Sequence, residues 1–290
     1  MTPKLPHCDQ LPVVLPPLTY ELLSSWICRH AVFYGVQPVT MLRHCLSDAS
    51  SMREIDFRRT TKQAACIAHV FRTDATVVRQ MSFANLCPDS HRWIAAKPMQ
   101  FCANCRHQAN SKGPEPVSRS QLLGWRITCS QCGSPLSDNE GNAVASPINS
   151  NWNEALNGQR LIDDEAQHGV QSWAPPMELA RLLLMRRDPR TSNAAPNGNP
   201  RLLGAVLPEI DAVLANSRIV LPSPAKPILP LMLRPALLAA VAILERQGPF
   251  MLARLEERMI DQNRSRFREL AATMLCIPPE PVELSYLQHI

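Results

Sequence analysis

No apolar run in the 290-residue chain reaches the roughly 18 residues that a membrane-spanning helix requires. The N-terminal stretch MTPKLPHCDQLPVVLPP has neither a continuous apolar segment nor a small-residue cleavage site, so no secretory leader is expected and the chain reads as cytoplasmic. Also missing are the phosphate-cradling G-x-x-x-x-G-K-[ST], the dinucleotide G-x-G-x-x-G, the nucleophile elbow G-x-S-x-G and the zinc-protease H-E-x-x-H. No internal repeat occurs. The one acidic cluster, Asp163-Asp164-Glu165, reads as a solvated helix end, because adjacent carboxylates on a helix diverge and no other spaced acid completes a two-metal set. These absences point away from an enzyme. Lysine is scarce too, 5 residues against 25 arginines. Guanidinium suits phosphate and guanine, although a GC-rich genome produces the same bias.

What the chain does have is cysteine in a pattern. Of ten cysteines, four form two C-x-x-C pairs, Cys102/Cys105 and Cys129/Cys132, with 23 residues between them. Each pair aims two sulfurs at one spot, and together they supply the four thiolates of a structural Zn²⁺ site. Gly133, after the second pair, can take the positive φ that such turns often need. Two disulfides and C-x-x-C redox chemistry are the alternatives. A redox pair usually sits singly at a helix start after a strand, whereas here there are two, and Lys112-Gly113-Pro114 between them reads as loop. A full set of four thiolates leaves no open position for a catalytic water. The other six cysteines, Cys8, Cys28, Cys45, Cys66, Cys87 and Cys276, read as free thiols in a reducing compartment.

Charge is uneven. Residues 1–134 carry 15 basic and 8 acidic side chains, a net +7, and residues 135–290 carry 15 and 17, a net −2. A basic front that includes a metal module points to a polyanion, most simply nucleic acid, and the rear half is expected to show no DNA binding of its own.

The periodicity is helical almost throughout. A first helix is expected from Thr19, with Leu18 as its hydrophobic staple, and with Leu22, Leu23, Trp26, Ile27, His30 and Phe33 on one stripe. Gly35 stops it, and Pro38 opens a second helix carrying Met41, Leu42, Cys45 and Leu46. A charged loop is expected around Arg53–Arg59. TTKQAACIAHVF and ATVVRQMSF then read as two helices, burying Ala64, Ile67, Ala68 and Phe71 and then Val77, Val78 and Met81, on either side of a short turn with Asp74 as N-cap. That pattern matches a helix-turn-helix, whose second helix would read DNA through Thr76, Arg79 and Gln80. His30 and His69 read as core or half-buried side chains rather than metal ligands. Beyond the cysteines, helices are expected at Trp152–Gln167, Pro176–Arg187, Arg201–Asn216, Leu231–Arg246, Pro249–Asp261 and Arg264–Leu275, with a flexible linker at 188–200 and an extended one at 221–230. The fold class is mainly α, with an N-terminal helical, HTH-like domain (1–98), a zinc-ribbon-like Cys₄ module with connector (99–150) and a C-terminal helical domain (151–290).

Several short motifs occur in a telling order. Leu15-Pro16-Pro17-Leu18-Thr19-Tyr20-Glu21 leads into Ser25-Trp26 and Arg29; Asp56-Phe57 follows, then Arg79-Gln80-Met81-Ser82-Phe83. Phe101-Cys102-Ala103-Asn104-Cys105, Trp125-Arg126, Cys129-Ser130-Gln131-Cys132-Gly133 and Leu136 close the series. In this order they resemble the TniQ family, accessory proteins of DNA transposition, over roughly residues 12–136. Two departures stand out. Cys132 occupies a ligand position that is usually His in that family, and both Cys₄ and Cys₃His hold zinc. No cysteine lies between Cys132 and Cys276, so a second zinc pair found in some relatives is absent. The resemblance implies a non-catalytic subunit that couples target DNA to an AAA+ ATPase and transposase complex. Its expected partners are those proteins and DNA, reached directly or indirectly, with a homodimer also open and no membrane. A free-standing HTH or zinc-finger transcription regulator is the competing reading, with a zinc hydrolase or thiol oxidoreductase as the enzyme alternative.

Overall fold

A computed structural model describes residues 9–49, 51–108, 115–139, 151–191, 200–215, 219 and 221–275. The chain falls into two compact units, Met1–Ala145 and Ser146–Ile290. The expected Lys112-Gly113-Pro114 loop, most of the 188–200 linker, Cys8 and Cys276 lie outside the described residues.

The front unit is built on α1 (Leu23–Phe33), α2 (Pro38–Cys45), α3 (Met52–Arg58), α4 (Thr61–Val70) and α5 (Ala75–Gln80). Trp26, Ile27, Leu42, Ile67 and Phe71 are fully buried at its centre. Phe71 sets its ring 4.5 Å from those of both Trp26 and His30. Gly35 ends α1 at φ +64°, and Pro38 opens α2, as expected. Phe33, assigned to the buried stripe, is 52% exposed; Ala31 takes the inward position instead. His30 is fully buried and satisfied: Leu15 N–H donates to its Nε2, and its Nδ1 lies 2.9 Å from the Trp26 carbonyl. His69 is exposed, neither core nor half-buried.

Two front-unit expectations are corrected. The first helix starts at Leu23, not near Thr19, and Leu18 is 45% exposed rather than a staple. The backbone before Leu23 is engaged elsewhere: Glu21 forms a bridge to Ser118, and Leu22 N–H donates to the Val117 carbonyl. The charged stretch 53–59 is mostly helix, not loop. Ser51 caps α3 by accepting from the Glu54 amide, and this serine with an acid three residues on is a start signal that the run of charges masks. In α4 the full capping box forms between Thr60 and Gln63.

In the rear unit α7 (Trp152–His168), α8 (Pro176–Leu183), α9 (Leu203–Val206), α10 (Glu209–Ala215), α11 (Arg234–Gln247), α12 (Phe250–Glu257) and α13 (Asp261–Leu275) follow one another. α11 is the pivot, with residues from Pro235 to Val241 buried in unbroken sequence. A helix apolar on all sides belongs at the centre of a bundle. Its closest neighbour is α7, where Gly158 lies so tight against the Leu238 backbone that a Cβ there would collide with it. The expected helix 201–216 is broken into α9 and α10 at Leu207-Pro208, since proline has no amide to continue the ladder. Glu165 is not part of a solvated end. It is buried, and its Oε2 accepts from the Met177 amide at 2.6 Å, capping α8 where the helix dipole favours an anion.

Candidate metal centre and nucleic-acid face

The two cysteine pairs reach one point from different local structures. Cys102 follows the short strand β1 (Gln100–Phe101), which pairs antiparallel with β2 (Ser137–Asp138), and it immediately precedes α6 (Ala103–Gln108), on which Cys105 sits. Cys129 and Cys132 lie on a hairpin turn closed by the Thr128–Pro135 bridge. Within that turn Cys129 N–H donates to the Ser134 carbonyl, Gly133 N–H donates to the Cys129 carbonyl, and Gly133 takes φ +73°. The first pair thus has the strand-then-helix setting typical of redox pairs, so local position does not separate the two chemistries. The convergence of all four sulfurs does.

The four Sγ atoms lie within 4.8 Å of one another. Cys102 and Cys132 are 3.4 Å apart, Cys105 and Cys132 3.6 Å, and Cys105 and Cys129 3.7 Å. Sulfurs at about 2.3 Å from a tetrahedral ion are separated by roughly 3.8 Å, whereas a disulfide requires about 2.05 Å. All four are free thiols, so the geometry and donor chemistry fit one metal ion. The Gln131 amide donates to the Cys129 sulfur at 3.4 Å. Hydrogen bonds from Ser134, side chain first and then amide, pull the Cys132 thiol down to about 6, while burial pushes Cys102 and Cys105 up.

A hydrogen-bonded network ties this module to α1. Arg29 grips Glu21 through Nε to Oε1 and Nη2 to Oε2, and Ser25 Oγ donates to the same carboxylate. Ser25 Oγ in turn accepts from the amide of Val117, just before the second pair's approach segment, while Arg119 N–H donates to the Tyr20 carbonyl. The proline-rich lead-in is held by the same helix: Trp26 Nε1 donates to the Leu15 carbonyl, and Arg29 Nη2 to that of Pro16. Trp125 is buried as well. Asp56 caps α1, its Oδ1 accepting from the Ser24 amide at 3.0 Å; burial drives its pKa up to about 6. It lines a cavity of about 330 Å³ together with Cys28, Arg53 and Phe57.

α4 and α5 pack against each other around the turn at 71–74, where Arg72 takes φ +47°, and Asp74 caps α5. On α5, Thr76 and Gln80 are exposed four residues apart, hence on one face, and Arg79 bonds Thr76 Oγ1 at 2.9 Å. Local sequence reading identified these three and missed the cations that tertiary folding brings beside them. Arg59, buried, donates to the Arg79 carbonyl and Ser82 Oγ, and Arg119 donates to the Gln80 carbonyl while lying 5.4 Å over the Phe83 ring. Burial pushes both guanidiniums down, with Arg79 adding to the effect on Arg59 and Arg126 to that on Arg119. Arg59 and Arg119 lie 60 positions apart in sequence, so no local signal pairs them.

Among the described residues no helix is long and apolar enough to cross a membrane. In comparisons with known proteins, the TniQ family model matches residues 12–132. No curated protein and no solved structure matches the chain. The matched stretch coincides with the lead-in, the α1 network, the α4–α5 pair and all four cysteines, whose spacing the folded unit explains. Over residues 12–132, somewhat under half of its length, this chain is similar to the TniQ family.

Proposed function

We propose that the protein is a non-catalytic accessory subunit of DNA transposition, working in the cytoplasm to couple an AAA+ ATPase and transposase to target DNA. The observation that carries this reading is the family match over residues 12–132, a stretch that includes the complete four-thiol cluster. Cys102, Cys105, Cys129 and Cys132 would hold one Zn²⁺. Four thiolates fill the tetrahedral set, so the ion would staple the module rather than activate water. Thr76, Arg79 and Gln80 on α5, with Arg59 and Arg119 behind them, form the face offered to DNA; three of these are guanidiniums suited to phosphate.

The test is reconstitution. Insertion by the cognate transposase and ATPase should require this protein, and binding of the full chain to duplex DNA should be salt-sensitive and nearly sequence-blind. Arg79→Ala should flatten the log–log salt slope by about 0.9 if that residue neutralises one phosphate. The exposed Thr76–Gln80 face favours one competing reading, a transcription regulator. That reading would be adopted if one short site were preferred over random duplex by about 10³-fold or more and transposition went on without the protein.

A further inference from the structure

Four segments of the front unit, far apart in sequence, enclose a cavity of about 330 Å³. Its wall is mostly apolar, with Leu22, Met52, Phe57, Pro98, Val117 and Leu122 along it. Folding removes most such surface from water, and an apolar hollow that stays open to solvent offers the same gain to a partner.

Most charged groups around the cavity are already engaged. Arg29 is held by Glu21, and Glu115 pairs with Arg106 at 2.9 Å. Asp56, 5% exposed, is turned to α1, where its Oδ1 accepts from the Ser24 amide. Arg53 precedes Asp56 by one helical turn on α3 and acts on it through space, without an ion pair. The Arg53 guanidinium instead lies 4.7 Å over the Phe57 ring and comes within 3.5 Å of the Ala96 carbonyl. Lys97 is exposed and sits between Ala96 and Pro98, both of which line the cavity. Among the described residues neither Arg53 nor Lys97 is ion-paired with a carboxylate. Two exposed cations thus flank an apolar hollow.

That combination selects its occupant. An apolar side chain fills the hollow, and carboxylates beside it in the same segment meet Arg53 and Lys97. A nucleic acid matches the site poorly. Its phosphates gain nothing from an apolar wall, and the Phe57 ring is not free to stack a base: Arg53 covers it, while the rings of Phe83 and His91 pack against it at 5.3 and 5.4 Å. We propose that this cavity is a docking site for an acidic segment of a partner protein, anchored by one apolar side chain. The site shares no residue with the four-thiol cluster or with α5 and stands whichever way those are read. The net +7 of residues 1–134 adds a long-range pull on such a segment.

The test uses the full chain and fluorescence anisotropy with a labelled synthetic peptide of glutamate, serine and glycine around one central leucine. The leucine peptide should bind, and its affinity should fall as salt is raised. Replacing its leucine by serine should weaken binding about tenfold or more, the loss of one buried apolar side chain. Arg53→Glu/Lys97→Glu should weaken the leucine peptide by about tenfold, and Arg53→Gln/Lys97→Gln by about threefold. The Gln pair covers the case in which the Glu pair does not fold. No binding at about 1 mM peptide, equal binding of the leucine and serine peptides, or an unchanged affinity in the Gln pair overturns the proposal. So does a labelled DNA duplex that loses affinity in the Gln pair while the leucine peptide does not, which would assign the two cations to nucleic acid. Arg79→Ala should leave peptide binding unchanged; a comparable loss there would move the peptide to α5 and overturn the assignment.

Discussion

Arg29 and Glu21 meet in a two-pronged ion pair, Nε to Oε1 at 2.7 Å and Nη2 to Oε2 at 2.8 Å, with the carboxylate wholly buried. This pair, with Ser25, holds the proline-rich lead-in and the approach to the second cysteine pair against one helix.

Removing Arg29 would leave a buried carboxylate with only the Ser25 hydroxyl and the Leu18 amide as partners. Arg29→Ala should cost the front unit about 3–5 kcal/mol, and the double change Glu21→Gln/Arg29→Ala should recover part of that. Urea denaturation followed by tryptophan fluorescence measures both; a double variant no more stable than Arg29→Ala would count against a charge-driven role.

Asp56 titrates near 6 in the folded state because of burial, against about 3.9 in the unfolded chain. A raised folded pKa means that its stabilising contribution is complete below pH 4 and is lost as pH rises through 6. The difference corresponds to roughly 3 kcal/mol at most. Asp56→Asn keeps an oxygen for the Ser24 amide and removes the charge. Its stability relative to the parent should therefore be greatest at pH 7.5 and vanish near pH 4, as read from denaturant midpoints at the two pH values.

The four-thiol cluster should carry one zinc per chain by elemental analysis of reduced protein. Binding energies for such sites run to about 10–16 kcal/mol, comparable to the stability of a whole domain. Strong chelation or Cys105→Ser should consequently unfold the module around Phe101 and Leu136, seen as rapid proteolysis between 99 and 139. A metal-free protein with unchanged protease resistance would contradict the stapling role.

Gly158→Ala should destabilise the rear unit by about 1–3 kcal/mol, since the new methyl meets the Leu238 carbonyl of α11 rather than a side chain that could swing away. Circular dichroism melting reads the loss. A variant that melts like the parent would mean that α7 and α11 stand further apart.

Sequence alone determined a good deal. Helical periodicity, Gly35 and Pro38 placed α1 and α2; Asp74 placed the start of α5; the paired C-x-x-C spacing singled out four thiols that do converge. Each of these signals is local, set by 3.6-residue repetition, by a proline's fixed φ or by a short cysteine turn. Tertiary structure decided what local chemistry leaves degenerate. The start of α1 moved to Leu23 because the Leu22 amide donates to the Val117 carbonyl and the Tyr20 carbonyl accepts from the Arg119 amide, almost a hundred residues away. Glu165 became a cap for α8 although its neighbours in sequence read as a solvated end. Arg59 and Arg119 gathered at α5, and Arg186 came to face Arg201, although composition reports only that arginine is abundant. A charge's partner depends on which distant segments the core brings together, and burial, not sequence spacing, sets how strongly that partner is felt.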